Sequence, residues 1–175
     1  ESPDPSMDVL LHTSQIRFAS GPAHQWLLEL RPAREGRLQA LQAQPAITSL
    51  VAGQVTAWSV GPSFDIAVSI QDRFGNRVAL SSAGLGPLVL RTDAAHGALQ
   101  TQPADGRLVV DATGEFGVVG ASGARPGLAE IWLEAVMHNS SSVVGRELRA
   151  RTSRTLMLAS REEAGDRPSE GSVSQ

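Results

Sequence analysis

The clearest pattern in this chain is a strict alternation of apolar and other residues between positions 64 and 70. The apolar residues of this stretch are Phe64, Ile66, Val68 and Ile70. An alternation with a period of two places these side chains on one face of a β-strand, where they can pack in a core while the other face meets water. The pattern therefore predicts a half-buried strand.

Similar short strand signals recur along the chain, and most are separated by Gly, Pro, Asn, Asp or Ser. In order, they are VLLH, QIRFA, HQWLLELRP, ITSLVAG, VTAWSVG, FDIAVSI, NRVAL, LVLRT, LVVDA, FGVVGA, AEIWLEAVM and RTLMLA. Short strands with turns between them, and without intervening helices, are typical of a sandwich or a barrel. We therefore predict an all-β fold, built as an antiparallel β-sandwich.

The ends of the chain differ from its middle in composition. Residues 1–8 are rich in Pro and acid, which is typical of a linker, and residues 161–175 contain one Val and no period, which indicates a disordered tail or linker. Residues 9–160 are predicted to form one domain, because a chain of this size can bury roughly 70% of its surface. Within that domain, residues 33–46 are interpreted as a long connection with up to one helical turn.

A tight turn is predicted where the strand at positions 64 to 70 runs into the sequence DRFGN. Asp72 can accept backbone N–H groups, while Gly75 and Asn76 tolerate the left-handed conformation. Phe74 is expected to fold back onto the end of the sheet and close the core. We interpret the turn as structural, because a cation site needs several more oxygen ligands than one Asp and one Asn supply.

The charged residues narrow the range of functions. The net charge is −3 and all 15 basic residues are Arg, so the chain has no Lys for a phosphate loop, for Schiff-base chemistry or for a general base. It also has no Cys, and therefore neither disulfides nor a thiolate nucleophile. No run of 18 apolar residues is present, so we expect no membrane span.

The Arg residues are scattered, which is a poor footprint for nucleic acid. The densest stretch contains Arg146, Arg149, Arg151 and Arg154, which we expect to line one side of a strand and loop. These four residues are the candidates for a weak nucleic-acid contact. Dispersed Arg on a negatively charged chain cannot neutralise the roughly six or more phosphates that tight binding uses, so we do not expect the isolated chain to bind DNA.

No catalytic, cofactor or metal site is predicted from the remaining polar residues. The His residues lack the repeated spacing of a metal site; they are His12, His24, His96 and His138. The run Ser140–Ser142 lacks the glycine-flanked elbow of a nucleophile and is interpreted as a polar hairpin loop. The Gly-rich stretch 118–127 lacks the Lys of a phosphate loop and is interpreted as a loose loop between strands. We therefore predict that the protein is not an enzyme.

The three Trp residues have two alternative roles: their rings stack on a sugar ligand, or they pack in the hydrophobic core. Trp26 and Trp132 each lie among alternating aliphatic residues, so we predict that both belong to the core. The sequence around Trp58 does not decide between the two alternatives. A platform of all three rings is therefore not expected.

Several short motifs follow one another through the first half of the chain. They are Ser20–Ala23, Trp26–Leu30, Val51–Gln54, Phe64–Ile66 and Asp72–Asn76. Their order resembles that of immunoglobulin-like β-sandwich modules. The resemblance is greatest to the modules between the ATPase head and the hinge of chromatin-silencing proteins that contain a structural-maintenance-of-chromosomes hinge, including plant silencing and DNA-repair relatives. Bacterial immunoglobulin-like adhesin repeats and filamin-type repeats are weaker matches with a similar Asp-x-x-Gly-Asn corner.

The resemblance extends over residues 14–159, since Gly114–Gly120 is similar to the following strand of such modules. It implies a non-enzymatic structural or protein-interaction module of a larger, chromatin-associated protein in the nucleus. The implied partners are neighbouring domains of the same protein or another protein, with no cofactor and no small-molecule substrate. The alternative is a cell-surface or secreted adhesin repeat that binds protein or carbohydrate. Neither the nucleotide-binding residues of the head nor a hinge signature is present, so no catalysis is implied.

Overall fold

A computed structural model describes residues 21–33, 48–61, 63–93, 97–139 and 141–160 of the protein. The strands are β1 (Gln25–Pro32), β2 (Thr48–Leu50), β3 (Val55–Ser59), β4 (Ser63–Gln71), β5 (Arg77–Val78), β6 (Leu88–Asp93), β7 (Leu99–Gln102), β8 (Val109–Val110), β9 (Phe116–Gly123), β10 (Gly127–Ala135) and β11 (Arg154–Ala159). A 3₁₀ helix spans Leu80–Ala83, and the α-helix α1 spans Val143–Thr152. The linker predicted at 1–8, the tail predicted at 161–175 and nearly all of the connection at 33–46 lie outside the described residues.

The described strands form two sheets. The larger sheet has the order β2-β1-β4-β9-β7, with β5 beside β4 and β8 beside β9, and the smaller has the order β3-β11-β10-β6. All strand pairs are antiparallel except β3 with β11, which is parallel. The predicted all-β class is thus confirmed at the level of a predominantly β structure with two mostly antiparallel sheets. The helix α1 was not predicted.

The inner faces of both sheets contribute to one hydrophobic core. The alternating apolar residues of β4 are fully buried, as predicted. The prediction that the opposite face meets water was wrong in part, because Ala67 and Ser69 on that face are buried as well. Trp26 of β1 pairs with Ile70 of β4 and is also buried, as predicted. The smaller sheet faces them with buried aliphatic residues such as Ile131 and Leu156. Each fully buried side chain of this size contributes about 1.5–3 kcal/mol through removal from water.

The outer edge of β6 is covered by the segment 106–108. The N–H of Leu90 donates to the carbonyl of Gly106 at 2.7 Å, and the N–H of Leu108 donates to the carbonyl of Leu88 at 3.3 Å. Gly106 has a φ of 73°, and a Cβ built there would lie 2.1 Å from the carbonyl oxygen of Leu90. Only a residue without a side chain allows the two backbones to approach this closely.

The Gly-rich stretch 118–127 is not the loose loop that we predicted. Its first six residues belong to β9, and Gly127 begins β10. Gly117, just before this stretch, explains why β9 is rich in Gly. A Cβ on that residue would lie 2.5 Å from Cδ2 of Leu108, so the missing side chain leaves room for a neighbour in the core.

The stretch from Arg146 to Arg154 is mostly helical, so the prediction of a strand and loop there was wrong. Ser142 is also not part of a hairpin loop, because its hydroxyl accepts the N–H of Gly145 at 2.9 Å and caps the start of α1. At the other end, the hydroxyl of Thr152 accepts the N–H of Leu133 in β10 at 3.0 Å. The cap at the start and this hydrogen bond to the sheet fix a helix between β10 and β11.

We expect Gly106→Ala to lower the free energy of unfolding by about 2–4 kcal/mol, because the new Cβ overlaps a backbone oxygen and the left-handed conformation is strained. Gly75→Ala is the matched control, since Gly75 also has a positive φ of 84° but no atom lies within 4 Å of the position that a Cβ would take. The control should lose only about 1 kcal/mol. Chemical denaturation measures both variants, and equal losses would contradict the close approach at β6.

Candidate protein-interaction surface

The turn after β4 is built around the carboxylate of Asp72, which is only 3% exposed. One oxygen accepts the N–H groups of Phe74 and Asn76 at 2.8 and 2.9 Å. The other accepts the N–H of Gly21 at 2.9 Å and the side-chain amide of Asn76 at 3.0 Å. The hydrogen bond from Gly21 is the largest cause that holds the pKa of Asp72 at about 2, below its usual 3.8. These bonds tie the chain before β1 to the end of β4.

The other residues of this turn differ in backbone conformation and in exposure to solvent. Gly75 adopts the left-handed conformation, with a φ of 84°. Phe74 is 70% exposed and lies beside the guanidinium of Arg73, 4.5 Å from the ring centre. The expectation that Phe74 closes the core was therefore wrong, because the Asp72 carboxylate holds the tip of the turn instead. No group of three or more His, Cys, Asp or Glu able to hold a metal occurs in the part of the chain that the structure describes.

The four Arg residues predicted as candidate nucleic-acid contacts do not form one surface. Arg154 is 6% exposed and donates to the carbonyls of Leu50 at 2.8 Å and Ser153 at 2.7 Å, and more distantly to those of Arg151 and Trp26. Burial lowers the pKa of Arg154. The guanidinium thus joins the end of α1 to β2 and β1, and it satisfies carbonyls at the helix C-terminus, where a cation is favourable.

The other three Arg residues lie along α1 and face different neighbours. Arg151 donates to the carbonyl of His24, and Arg149 stacks on the ring of Trp132 with 4.0 Å between its Cζ and the ring centre. Arg146 is exposed. Because only some of these cations face solvent freely, the described Arg residues do not present the continuous basic stripe that nucleic-acid binding proteins use.

The positions of two Trp residues could not be predicted correctly from the sequence. Trp132 lies half-buried on the outer face of β10, beneath Arg149, so its predicted place in the core was wrong. Trp58 is half-buried and packs against Phe64, with 5.4 Å between the ring centres. The three rings therefore form no common platform, since Trp26 is in the core.

The outer face of the smaller sheet carries an apolar surface next to β3. Ala57, Met157 and Leu128 are register partners across three neighbouring strands, and Val55 lies on the same face of β3. The exposed fractions are 58% for Val55, 44% for Met157 and 59% for Leu128. We call these four residues the β3 surface. Contiguous exposed apolar residues of this kind mark interaction sites more often than isolated ones do.

The β3 surface adjoins a strand edge that has no partner within the described residues. β3 is the terminal strand of its sheet and pairs there with β11 alone. An edge strand presents backbone N–H and C=O groups that a further strand can bind. The opposite terminal strand, β6, lacks this capacity because residues 106–108 already cover it.

Sequence reasoning did not identify this surface. Its four residues come from three strands that are far apart in the chain, and each alone is an ordinary exposed apolar residue. One signal was available, since the sequence from Gln54 to Ser63 contains no charged residue.

No protein-family model matches the chain, and no curated protein sequence matches it either. Among the described helices, none is long and apolar enough to cross a membrane.

We expect the stabilisation by Asp72 to depend on pH. The folded pKa of about 2 lies below the usual 3.8, so the contribution of the ionised carboxylate is complete above about pH 4 and is lost as the pH falls towards 2. The difference in unfolding free energy between the wild type and Asp72→Asn should therefore shrink over this range. Denaturation at a series of pH values measures it. Asp93→Asn, at the exposed end of β6, is the control, and a difference for Asp72→Asn that does not vary with pH would contradict the turn geometry.

We expect Arg154→Ala to lower the free energy of unfolding by about 2–4 kcal/mol, because buried carbonyls of β1, β2 and α1 lose their donor. Arg146→Ala removes an exposed guanidinium from the same segment and should change it by less than about 0.5 kcal/mol. Urea denaturation followed by circular dichroism compares the two variants. Similar values for both would show that Arg154 does not hold α1 to the larger sheet.

Proposed function

We propose that this chain is an immunoglobulin-like sandwich that acts as a non-enzymatic structural and protein-interaction module of a larger, chromatin-associated protein. The observation that carries the interaction role is the β3 surface beside a strand edge to which no other described strand is paired. The partner is a neighbouring domain of the same protein or another protein. The nuclear and chromatin setting rests on the resemblance of the sequence motifs.

The strand order supports the immunoglobulin-like assignment. In immunoglobulin constant-type domains, strands A, B, E and D form one sheet and strands C, F and G form the other. If β4, β6, β7, β9, β10 and β11 are taken as B, C, D, E, F and G, the central part of each observed order follows, because β4-β9-β7 is B-E-D and β6-β10-β11 is C-F-G. β3 then takes the place of strand A, but it pairs in parallel with the last strand and so belongs to the C-F-G sheet instead of the sheet that contains B.

Three further features are additions to or departures from that pattern. β1 and β2 extend the larger sheet beside β4, and α1 lies within the connection between the sixth and seventh strands of the scheme. The chain has neither the Cys pair nor the Tyr corner of antibody domains, since its sequence contains no Cys and no Tyr. A sandwich without these elements depends on its hydrophobic core, on Arg154 and on the Asp72 turn.

The surface chemistry favours a protein partner over DNA or a small substrate. Exposed Val, Met and Leu side chains of the β3 surface gain free energy when they leave water, at about 25 cal/mol for each Å² buried. The net charge of the chain, −3, gives no general attraction to phosphates. An apolar sheet face beside a free edge fits another folded surface or strand.

Photo-crosslinking tests this function. A photo-crosslinking amino acid in place of Met157 should form adducts with one defined partner protein, or with another domain of the same polypeptide, when the protein is irradiated in the nuclei of cells that express it. The same amino acid in place of Gln102, an exposed residue on the larger sheet, is the control and should give far fewer adducts. Mass spectrometry identifies the peptide joined to position 157.

A second substitution makes the result specific to the β3 surface. Val55→Lys adds a charge to the exposed outer face of β3 and should abolish the adducts at position 157 without unfolding the protein. Equal labelling from positions 157 and 102, or adducts unchanged by Val55→Lys, would overturn the proposed interaction surface. Adducts confined to secreted or cell-surface proteins would favour the adhesin alternative over the chromatin setting.

A further inference from the structure

β3 lacks the features that usually protect an edge strand from pairing. Natural edge strands carry charged residues, Pro or bulges, or they are very short. The sequence from Gln54 to Ser63 has no charge, and its only Pro comes after β3 ends. The other described terminal strands are protected, because β2 has three residues and β6 is covered by the segment 106–108. β5 and β8 have two residues each, β8 lies between Arg107 and Asp111, and Pro103 follows β7 directly.

The hydrogen bonds to β11 show which backbone groups of β3 face the free edge. Val60 donates its N–H to the carbonyl of Ala159 at 2.9 Å, so the backbone groups of Val60 point towards β11. In a regular strand, successive residues direct these groups to opposite sides. The N–H and C=O groups of Val55, Ala57 and Ser59 therefore point away from β11.

We infer that β3 is a self-association strand, and that the β3 strands of two copies of this chain pair antiparallel about a two-fold axis at Ala57. In this register Ala57 faces Ala57 of the partner subunit, and Val55 faces Ser59 of the partner subunit. All of these residues have outward backbone groups, so each facing pair exchanges two backbone hydrogen bonds. The two smaller sheets then form one continuous sheet.

Three properties favour a second copy as the occupant. A two-fold contact requires a self-complementary surface, and a neutral edge places no like charges opposite each other even though the chain carries −3 overall. Ala57 has the small side chain that the crowded position on the axis needs. The β3 surfaces of both copies meet across the axis, and Val55 and Met157 extend the contact beyond the strand pair.

This inference specifies the partner for the surface on which the proposed function rests. A contact of one short strand and a few flanking side chains is small, so we expect a dissociation constant in the micromolar range, roughly 1–100 µM. The dimer therefore forms where local concentration is high, as it is for modules held within one assembly.

Sedimentation velocity of the full chain between about 5 and 500 µM, a range that brackets this constant, tests the inference. The wild type should pass from monomer to dimer with rising concentration. Ala57→Lys and Ala57→Glu should each stay monomeric, because two like charges face each other on the axis, whereas an equimolar mixture of the two variants should form a heterodimer. Gln102→Lys introduces the same charge as Ala57→Lys on the other sheet and should dimerise like the wild type.

The outcomes separate this inference from the proposed function. A wild type that remains monomeric throughout, or an Ala57→Lys variant that still dimerises, would overturn self-association through β3. A mixture that fails to form the heterodimer would overturn the two-fold register at Ala57. Crosslinks from position 157 to a different protein alongside a monomeric wild type would retain the proposed function and exclude the second copy as its partner.

Crosslinking through thiols supplies a measurement that does not depend on charge. The natural chain has no Cys, so Ala57→Cys creates a single thiol on the proposed axis. Facing residues of a hydrogen-bonded antiparallel pair have Cα atoms about 5.5 Å apart, so a short bifunctional maleimide can join the two thiols. We expect rapid formation of a crosslinked dimer with this reagent for Ala57→Cys and slow formation for Gln102→Cys. Equal rates for the two variants would contradict the axis.

Discussion

Each buried backbone N–H and C=O group of this protein needs a hydrogen-bond partner, because an unpaired group costs about 1–3 kcal/mol. Hydrogen bonds between neighbouring strands satisfy most of these groups. At the ends of the strands and at the edges of the two sheets this regular pairing stops. At the end of β4 the Asp72 carboxylate takes the free N–H groups. At the start of β11 Arg154 supplies donors to free carbonyls. The fold therefore depends on a few polar side chains placed where the regular pairing ends.

The same constraint accounts for the helix in an otherwise β structure. The connection from β10 to β11 passes through α1, whose own backbone bonds are satisfied within the helix. Its ends are then held by Ser142 and by Thr152, and the carbonyls at its C-terminus lie within reach of Arg154. Arg149, Arg151 and Arg154 thus contact the sandwich, which explains why the Arg residues of this segment do not gather into a basic surface.

The two edges of the smaller sheet differ in how many of their backbone N–H and C=O groups have a partner within the described residues. Residues 106–108 close the edge of β6, and Gly106 makes this possible because a side chain would overlap Leu90. On the opposite side of the smaller sheet, β3 keeps outward N–H and C=O groups and an apolar face. Water can satisfy these groups in the free protein, and a second strand satisfies them while burying the apolar residues. The proposed interaction role thus rests on one edge that is closed and another that has no partner strand among the described residues.

Features that depend on neighbours along the chain could be predicted from the sequence. The burial of the alternating apolar residues of β4, the place of Trp26 in the core and the predominantly β character all follow from a period of two, which is a local property. A local pattern also indicates the start of α1. Ser142 precedes three buried residues at helical spacing, which are Gly145, Leu148 and Thr152. The signal was missed because Gly145 resembles a turn residue and the other two are only weakly periodic.

The contacts between residues that are distant in the chain could not be predicted from the sequence. Arg154 finds its carbonyl on Leu50, 104 positions away, and the parallel partner of β3 is the last strand of the domain. Trp132 shares the outer face of β10 with Glu130 and Glu134, and Arg149 reaches its ring from a helix that the strand pattern did not predict. The β3 surface likewise exists only because three strands come together. Contacts of this kind leave no period in the sequence, since their partners are chosen by the packing of whole sheets rather than by neighbouring residues.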